Sequence, residues 1–222
     1  FFLIQLLVSK QKQMLKYVKK LVLPNGVYDH RYISYISWSF MSTICVSMET
    51  AISTNSMLYI IGGEGSSEFR MINYVGKDVL GQIGGLFYMA KFAEKADKDP
   101  SRFLIYSNIM QQASFVIMSA TPLFTSDIFL PVAGVANVLS NIAFTGYGAI
   151  NAKCIQTMAV ENNVGEMYAK ITTVNTFAST IGLATGILIT SYLQNPLYTI
   201  ALIPFIGVFR IYTYNKAIAN LL

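Results

Sequence analysis

The sequence predicts an all-α integral membrane protein, in which a bundle of six transmembrane helices follows a basic amphipathic helix on the membrane surface. Hydrophobic residues make up 54% of the 222 residues and charged residues only 12%, about half the charged fraction of ordinary soluble proteins. Six charge-poor stretches reach or approach the ~20 residues that cross a bilayer. A soluble domain could not cover its surface with so few charges, so lipid is the predicted solvent.

The distribution of positive charge is the third observation behind this fold class. If every stretch crosses the membrane, 14 of the 16 lysine and arginine residues fall on one side. The positive-inside rule predicts this asymmetry, which a soluble helical domain has no reason to show. The exceptions are Arg70 and Lys77, in the first connection region, whereas Arg210 and Lys216 count here as the C-terminal tail. With six crossings, both termini lie on the same, positive side.

Residues 1–22 form the predicted surface helix, and residues 23–222 form the membrane domain. Lys12, Lys16, Lys19 and Lys20 recur at helical spacing with apolar residues between them, so the helix either lies on anionic headgroups or grips a partner protein. The segment Leu23-Pro24-Asn25-Gly26 ends it. The predicted membrane spans are residues 33–61, 71–90, 103–124, 128–151, 171–193 and 197–214.

The first span has two faces. Hydroxyl side chains fall on one side of a helix with 100° per residue, and apolar side chains fall opposite, which suits a bundle whose hydroxyl face turns away from lipid. That face includes Ser39, Thr43, Ser47 and Thr50. Glu49 lies at its edge. A carboxylate within a membrane span is costly and often functional, so Glu49 either carries a proton, binds a cationic solute, or is paired at a helix interface.

The second and fifth spans carry small residues that let a neighbouring helix approach closely. Gly81, Gly84 and Gly85 lie in the second span, and Gly182 and Gly186 in the fifth, both in GxxxG spacing. We expect Lys77 and Asp78, early in the second span, to reach the headgroups or to pair locally. The second span is followed by a charged loop from Lys91 to Arg102.

The remaining spans are marked by polar residues and turn residues. The third contains Pro122 near its end, and the sixth contains Pro204 and follows a tight turn at Gln194-Asn195-Pro196. Asn137 and Asn141 of the fourth span are one helical turn apart, and Asn175 lies in the fifth. These three amides either line a solute path or form hydrogen bonds between helices. Near the start of the first span, Tyr32, Tyr35 and Trp38 are expected at headgroup depth.

The sequence argues against most enzymatic chemistry. One histidine and two cysteines cannot build a metal cluster or a Ser-His-Asp or Cys-His set. The Gly62-Gly63-Glu64-Gly65 run lacks the lysine and hydroxyl residue of a phosphate loop. We therefore predict no catalytic residue, no metal and no cofactor. The basic residues are dispersed among apolar stretches, which excludes a nucleic-acid partner. Cys45 and Cys154 are expected to be buried free thiols.

Several short motifs resemble the root UVB-sensitive family, also known as the vitamin B6 photo-protection and homeostasis domain. They are Leu23-Pro24-x-Gly26, Tyr32-x-x-Tyr35-x-x-Trp38, Gly81-Gln82-x-Gly84-Gly85, Asp97-x-Asp99-Pro100-x-Arg102, Leu130-Pro131, Asn137-Val138, Asn141-Ile142, Glu161-Asn162-x-x-Gly165-Glu166 and Ala169-Lys170. The resemblance covers about residues 23–189. It implies an integral protein of plastid, mitochondrial or other internal membranes that is linked to pyridoxal-phosphate homeostasis and light stress, with no assigned reaction.

The arrangement of glycine-rich spans is also similar to one six-helix half of a major facilitator transporter, although the loop signature of those transporters is absent. Two functions follow from these observations. The first is a non-catalytic accessory or structural subunit of an organellar membrane complex, with the mitochondrial inner membrane or another organellar membrane as its location. The alternative is a carrier or half-carrier for a small solute such as a vitamin B6 compound. The predicted partners are the lipid bilayer, other membrane-protein subunits and, in the second case, that solute.

Overall fold

The fold, seen in a computed structural model, is built from six long α-helices. The structure describes residues 13, 16, 19–25, 28–63, 66–160, 163–193, 195–219 and 221, with backbone only at 62–63, 89 and 92–97. The helices are α1 (Arg31–Gly63), α2 (Ser67–Lys98), α3 (Pro100–Ser119), α4 (Phe129–Met158), α5 (Val164–Tyr192) and α6 (Pro196–Ile218). No strand occurs in these ranges. Most of the predicted surface helix over residues 1–22 lies outside the described residues and stays a prediction.

Two helix ends differ from the sequence prediction. The predicted charged loop from Lys91 to Arg102 is helical as far as Lys98, and the chain turns only at Asp99. The Asp99 side chain accepts a hydrogen bond of 3.1 Å from the backbone N–H of Arg102 and Pro100 occupies the first turn, so α3 begins with a strong capping signal. In contrast, α3 ends at Ser119 rather than near residue 124, because Pro122 belongs to a 3-10 turn, Thr121–Leu123.

Four of the helical segments are long and apolar enough to cross a membrane. They are Arg31–Ile61, Ser126–Met158, Val164–Tyr192 and Pro196–Ile218. The α2 and α3 helices fall outside this group because charged and amide side chains interrupt their apolar residues. Their 32 and 20 residues correspond to lengths of about 48 and 30 Å at 1.5 Å per residue. An all-helical fold with four membrane-length apolar helices is therefore established for the described residues, whereas six membrane crossings stay a prediction.

Glycines permit the close approach of two pairs of helices. The α1 helix packs against α5 and α6, while α4 packs against α2 and α3. A Cβ atom on Gly186 would lie 2.6 Å from the Cβ of Ala51, and one on Gly182 would collide with the backbone carbonyl of Ile44. Because both neighbours belong to α1, only glycine permits this approach of α5.

Glycines also allow α2 to pack closely against α4. A Cβ on Gly81 would lie 2.6 Å from the Nδ2 atom of Asn137, and one on Gly84 would lie 2.6 Å from Val138. Gly85 faces the Cβ of Asn141 at 3.2 Å. The glycine faces of α2 and α5 are thus occupied inside the chain.

Of the three aromatic residues predicted near the start of α1, Tyr32 and Tyr35 are buried and Trp38 is half-buried against the same cluster. Tyr32 and Tyr35 belong to a core cluster with Ile150, Met158 and other residues of α4, α5 and α6. The Tyr32 hydroxyl donates a 2.7 Å hydrogen bond to the carbonyl of Val22. The Tyr35 hydroxyl also has an internal partner, the Oδ1 atom of Asn151, and such partners let the rings be buried. The expected depth of these side chains at the headgroups stays a prediction. Cys45 and Cys154 are free and buried, as expected.

Candidate functional site

The hydroxyl face of α1 borders a cavity of about 720 Å³ to which all six helices contribute. Because α1 and α4 each pack mainly against other helices, a space is left between them. The α1 wall contains six hydroxyl residues: three named in the sequence prediction, Ser39, Thr43 and Thr50, and three others on the same helix face, Ser42, Ser53 and Thr54. The periodicity of one helix therefore identified one wall of the cavity.

The opposite wall comes mainly from α4. Its polar contributors are Asn137, Ser140, Tyr147 and Asn151. The ring of Phe144 also lines the cavity and is 76% exposed, so the cavity communicates with the exterior at this position. Tyrosine rings from α2, α4, α5 and α6 complete the lining, namely Tyr74, Tyr147, Tyr168 and Tyr214.

Two cationic residues reach this cavity, Lys77 from α2 and Arg210 from α6. The Lys77 side chain is only 9% exposed, and its Nζ atom lies 2.6 Å from Oδ1 of Asp78 and 4.6 Å from the centre of the Tyr74 ring. Asp78 also accepts a 2.9 Å hydrogen bond from Nδ2 of Asn137. Lys77 and Asp78 thus pair locally, one of the two arrangements that the sequence allowed.

Glu49 and Arg210 form an ion pair inside the bundle. The Nε atom of Arg210 lies 2.7 Å from Oε2 of Glu49, with side-chain exposures of 2% and 0%. Neither of these two atoms makes an aligned hydrogen bond, and Oε1 of Glu49 has no hydrogen-bond partner among the described residues. The contact is therefore mainly electrostatic, and in a medium of low dielectric constant it determines whether the carboxylate can stay charged.

The guanidinium of Arg210 connects this ion pair to α3 and α4. Its Nη1 donates to the Tyr147 hydroxyl at 2.8 Å and its Nη2 to Oε1 of Gln112 at 3.1 Å. The Tyr147 hydroxyl in turn donates to Oδ1 of Asn108 at 2.6 Å. Four helices, α1, α3, α4 and α6, therefore meet at one charge, and such a network fixes their relative positions.

The other predicted polar residues divide between the cavity and the helix contacts. Asn175 lines the cavity, and its Oδ1 accepts from Ser39 at 3.3 Å and from Thr43 at 3.4 Å. Ser47 instead donates to the Ser179 hydroxyl at 2.9 Å, which joins α1 to α5. The hydrogen bonds of these side chains join α1 to α5, and those of Asn175 lie at the cavity.

The remaining predicted polar residues donate hydrogen bonds within their own helix or to α2. Thr50 donates to the carbonyl of Val46, four residues earlier in its own helix, and still lines the cavity. Asn137 donates to the carbonyl of Lys77 at 2.9 Å. Asn141 donates to the carbonyl of Asn137 and stays outside the lining.

Sequence reasoning missed Arg210, which it counted as a tail charge. The structure corrects this: Arg210 lies within α6, eight positions before the last helical residue, Ile218, and is buried. The signal was available, because the rule that makes an ionisable residue in a membrane span a candidate applies to Arg210 as it does to Glu49. The amides of Asn108 and Gln112 in the third predicted span, which belong to the same network, were also overlooked.

Comparisons with known proteins bear on this arrangement. The sequence profile described as the vitamin B6 photo-protection and homoeostasis domain matches residues 8–221. The chain belongs to this family. The resemblance inferred from the sequence motifs is thereby confirmed. No solved structure matches the chain.

Curated relatives of the family share this region. The chain is 28% identical to protein root UVB sensitive 4 of Arabidopsis thaliana over 85% of its own length and 36% of that protein. It is 29% identical to root UVB sensitive 5 of the same plant, over 75% of its length and 34% of that protein. RUS family member 1 of Dictyostelium discoideum is 21% identical over 85% of this chain and 37% of that protein. The chain spans about a third of the length of these relatives.

Proposed function

We propose that this member of the vitamin B6 homoeostasis family is an integral membrane protein that binds a small polar solute, such as a vitamin B6 compound, as a carrier or half-carrier. The observation that carries the proposal is the cavity. Its volume of about 720 Å³ falls within the ~300–1,000 Å³ typical of small-molecule sites. Hydroxyl, amide and tyrosine side chains surround it, which is the mixture of polar groups and aromatic surface that orients a small polar ring.

The alternative, an accessory subunit of an organellar membrane complex, has less support from the geometry. That hypothesis relied on the basic amphipathic N-terminal helix, most of which lies outside the described residues, and on glycine faces that would pack against other subunits. Gly81, Gly84 and Gly85 meet α4, and Gly182 and Gly186 meet α1, so these faces already have neighbours within the chain. A cavity lined by all six helices has no evident purpose in a purely structural subunit. We therefore favour the solute-binding function and retain an organellar membrane as the proposed location.

The two glycines Gly148 and Gly165 allow a direct test of the cavity. A Cβ on either one meets no atom within 4 Å, but Gly148 lines the cavity and Gly165, near the start of α5, does not. We expect Gly148→Trp to abolish saturable uptake of labelled pyridoxine and pyridoxine 5′-phosphate into vesicles containing the purified chain, because the indole occupies the solute's space. Gly165→Trp is the matched control and should transport like the original protein. Equal uptake by the two variants would refute the proposed site.

We also propose that all six helices cross the membrane, with both termini on one side. Besides the four apolar helices, α2 exposes large apolar side chains such as Leu86 and Phe87, which suit contact with lipid. The proposal predicts that single cysteines at Lys98 and Gly165 react with an impermeant maleimide from one side, and cysteines at Ser66 and Asn195 from the other. The two native cysteines are buried and give little background. Labelling of Lys98→Cys and Gly165→Cys from opposite sides would contradict six crossings.

A further inference from the structure

The charge of the cavity lining indicates which solutes it accepts. Among the described residues that border the cavity, the charged ones are Lys77 and Arg210, both cationic. Their carboxylate partners are placed elsewhere. Glu49 is fully buried beside Arg210 and does not border the cavity, and the Asp78 side chain is 44% exposed outside it. A solute in the cavity therefore meets positive groups directly and the compensating negative groups only at longer range.

Both cations have more hydrogen-bond donors than their partners in the bundle use. A guanidinium carries five N–H donors and an ammonium three. Arg210 makes hydrogen bonds to Tyr147 and Gln112 and contacts Glu49. Lys77 donates to Asp78 and has the face of the Tyr74 ring nearby. Donors remain on each cation for the oxygens of a phosphate or a carboxylate, and such charge-assisted hydrogen bonds are about twice as strong as neutral ones.

Aromatic surface accompanies these charges. Tyr74 lies beside Lys77, and Tyr147 accepts a hydrogen bond from Arg210. Phe144 and Tyr168 complete an aromatic lining between the polar walls. Flat rings stack on such side chains in offset or edge-to-face arrangements. The cavity thus offers positive charge and ring-stacking surface together.

We propose that the cavity binds a small aromatic compound that carries a phosphate or carboxylate, with the anionic group held by Lys77 and the ring against the tyrosines. This inference rests on the proposed function and specifies its substrate class. A phosphate can also belong to a lipid headgroup, because the cavity opens at the exposed Phe144. The experiment therefore compares free and lipid-borne phosphate.

The test uses two probes that differ only in their phosphate, pyridoxine 5′-phosphate and pyridoxine. Neither has the aldehyde that would form a Schiff base with a lysine. Binding to the purified chain in phosphatidylcholine nanodiscs is measured by calorimetry. We expect the phosphorylated probe to bind roughly tenfold or more tightly than pyridoxine, since it gains charge-assisted hydrogen bonds in a partly desolvated site. The advantage should disappear in Lys77→Gln and persist in Lys77→Arg, which keeps the charge.

Arg70→Gln is the matched control, because Arg70 lies on the same helix, is exposed and does not border the cavity. It should retain the preference for the phosphorylated probe. Melting temperatures of all variants show whether a loss of binding comes from unfolding. Equal affinity for the two probes in the unmodified chain would overturn the anionic substrate class and leave the proposed function intact. Absence of saturable binding by both probes would overturn both proposals.

Two further binding measurements distinguish a free phosphate compound from a lipid headgroup as the ligand. Inorganic phosphate alone should compete only weakly, because it lacks the ring. Nanodiscs that contain phosphatidic acid should bind pyridoxine 5′-phosphate as tightly as nanodiscs of phosphatidylcholine. If phosphatidic acid instead abolishes binding of the probe in the unmodified chain but leaves the residual binding by Lys77→Gln unchanged, the site belongs to a lipid headgroup and the proposal of a free aromatic anion fails.

Discussion

Arg210→Met is expected to destabilise the folded chain by about 3–5 kcal/mol, because it leaves the Glu49 carboxylate buried without a counter-charge. Glu49 is 0% exposed, and Arg210 is its ion-pair partner at 2.7 Å. The substitution also removes the donors to Tyr147 and Gln112, so three helices lose a shared contact with α6. Unfolding in detergent, followed by size-exclusion chromatography after heating, measures the loss.

The controls for this prediction separate charge from packing. Lys216→Met removes an exposed cation near the end of the same helix and should leave the melting temperature nearly unchanged. The double variant with Glu49→Leu should recover much of the lost stability, since replacing both members of a buried ion pair by apolar residues is often neutral or stabilising. An Arg210→Met protein as stable as the original, or a double variant no better than the single one, would contradict the role assigned to the pair.

Gly182→Leu is expected to produce the second large effect, a loss of about 3 kcal/mol in the free energy of unfolding. The added side chain meets the backbone carbonyl of Ile44 and the Cβ of Ser47, at 2.7 Å from the latter. A backbone carbonyl inside a helix cannot rotate away, so α5 must separate from α1. For a chain of this size the melting temperature should fall by about 6–12 °C.

The matched control for Gly182 lies in the same helix. Gly165→Leu enters space where a Cβ has no neighbour within 4 Å, and the change from glycine raises helix propensity. We expect its melting temperature to be unchanged or slightly raised. The backbone contact between α1 and α5 does not limit their approach if both leucine variants have the same melting temperature. The same conclusion follows if Ser47→Gly restores the melting temperature of Gly182→Leu fully.

The ion pair and the cavity share one residue, which links stability to solute binding. Arg210 borders the cavity, and its Nε atom lies 2.7 Å from Oε2 of Glu49. Tyr147 also connects the cavity to the ion pair, because it lines the cavity and accepts a hydrogen bond from Arg210. One positive charge of the cavity lining is therefore positioned by a carboxylate that does not border the cavity. Lys77 is the better variant for testing binding, because its partner Asp78 is partly solvated.

Local sequence patterns were sufficient to predict the helices and one wall of the site. Apolar stretches predicted the six helices, because the 3.6-residue period and the length of each stretch are properties of contiguous residues. The same period placed Ser39, Thr43 and Thr50 on the face of α1 that borders the cavity. Glu49 was identified as a candidate because a carboxylate in an apolar stretch is unusual wherever it occurs.

Contacts between distant segments were not predictable in this way. Glu49 and Arg210 are 161 positions apart, and no pattern in either helix specifies the other as its partner. The burial of Tyr32 and Tyr35 likewise depends on how α4, α5 and α6 pack around the start of α1. The sequence alone determined an all-helical, lipid-compatible chain of this family with one hydroxyl-rich helix face. The pairing of charges and the existence of a cavity were decided by helix packing, because both depend on which faces of separate helices meet.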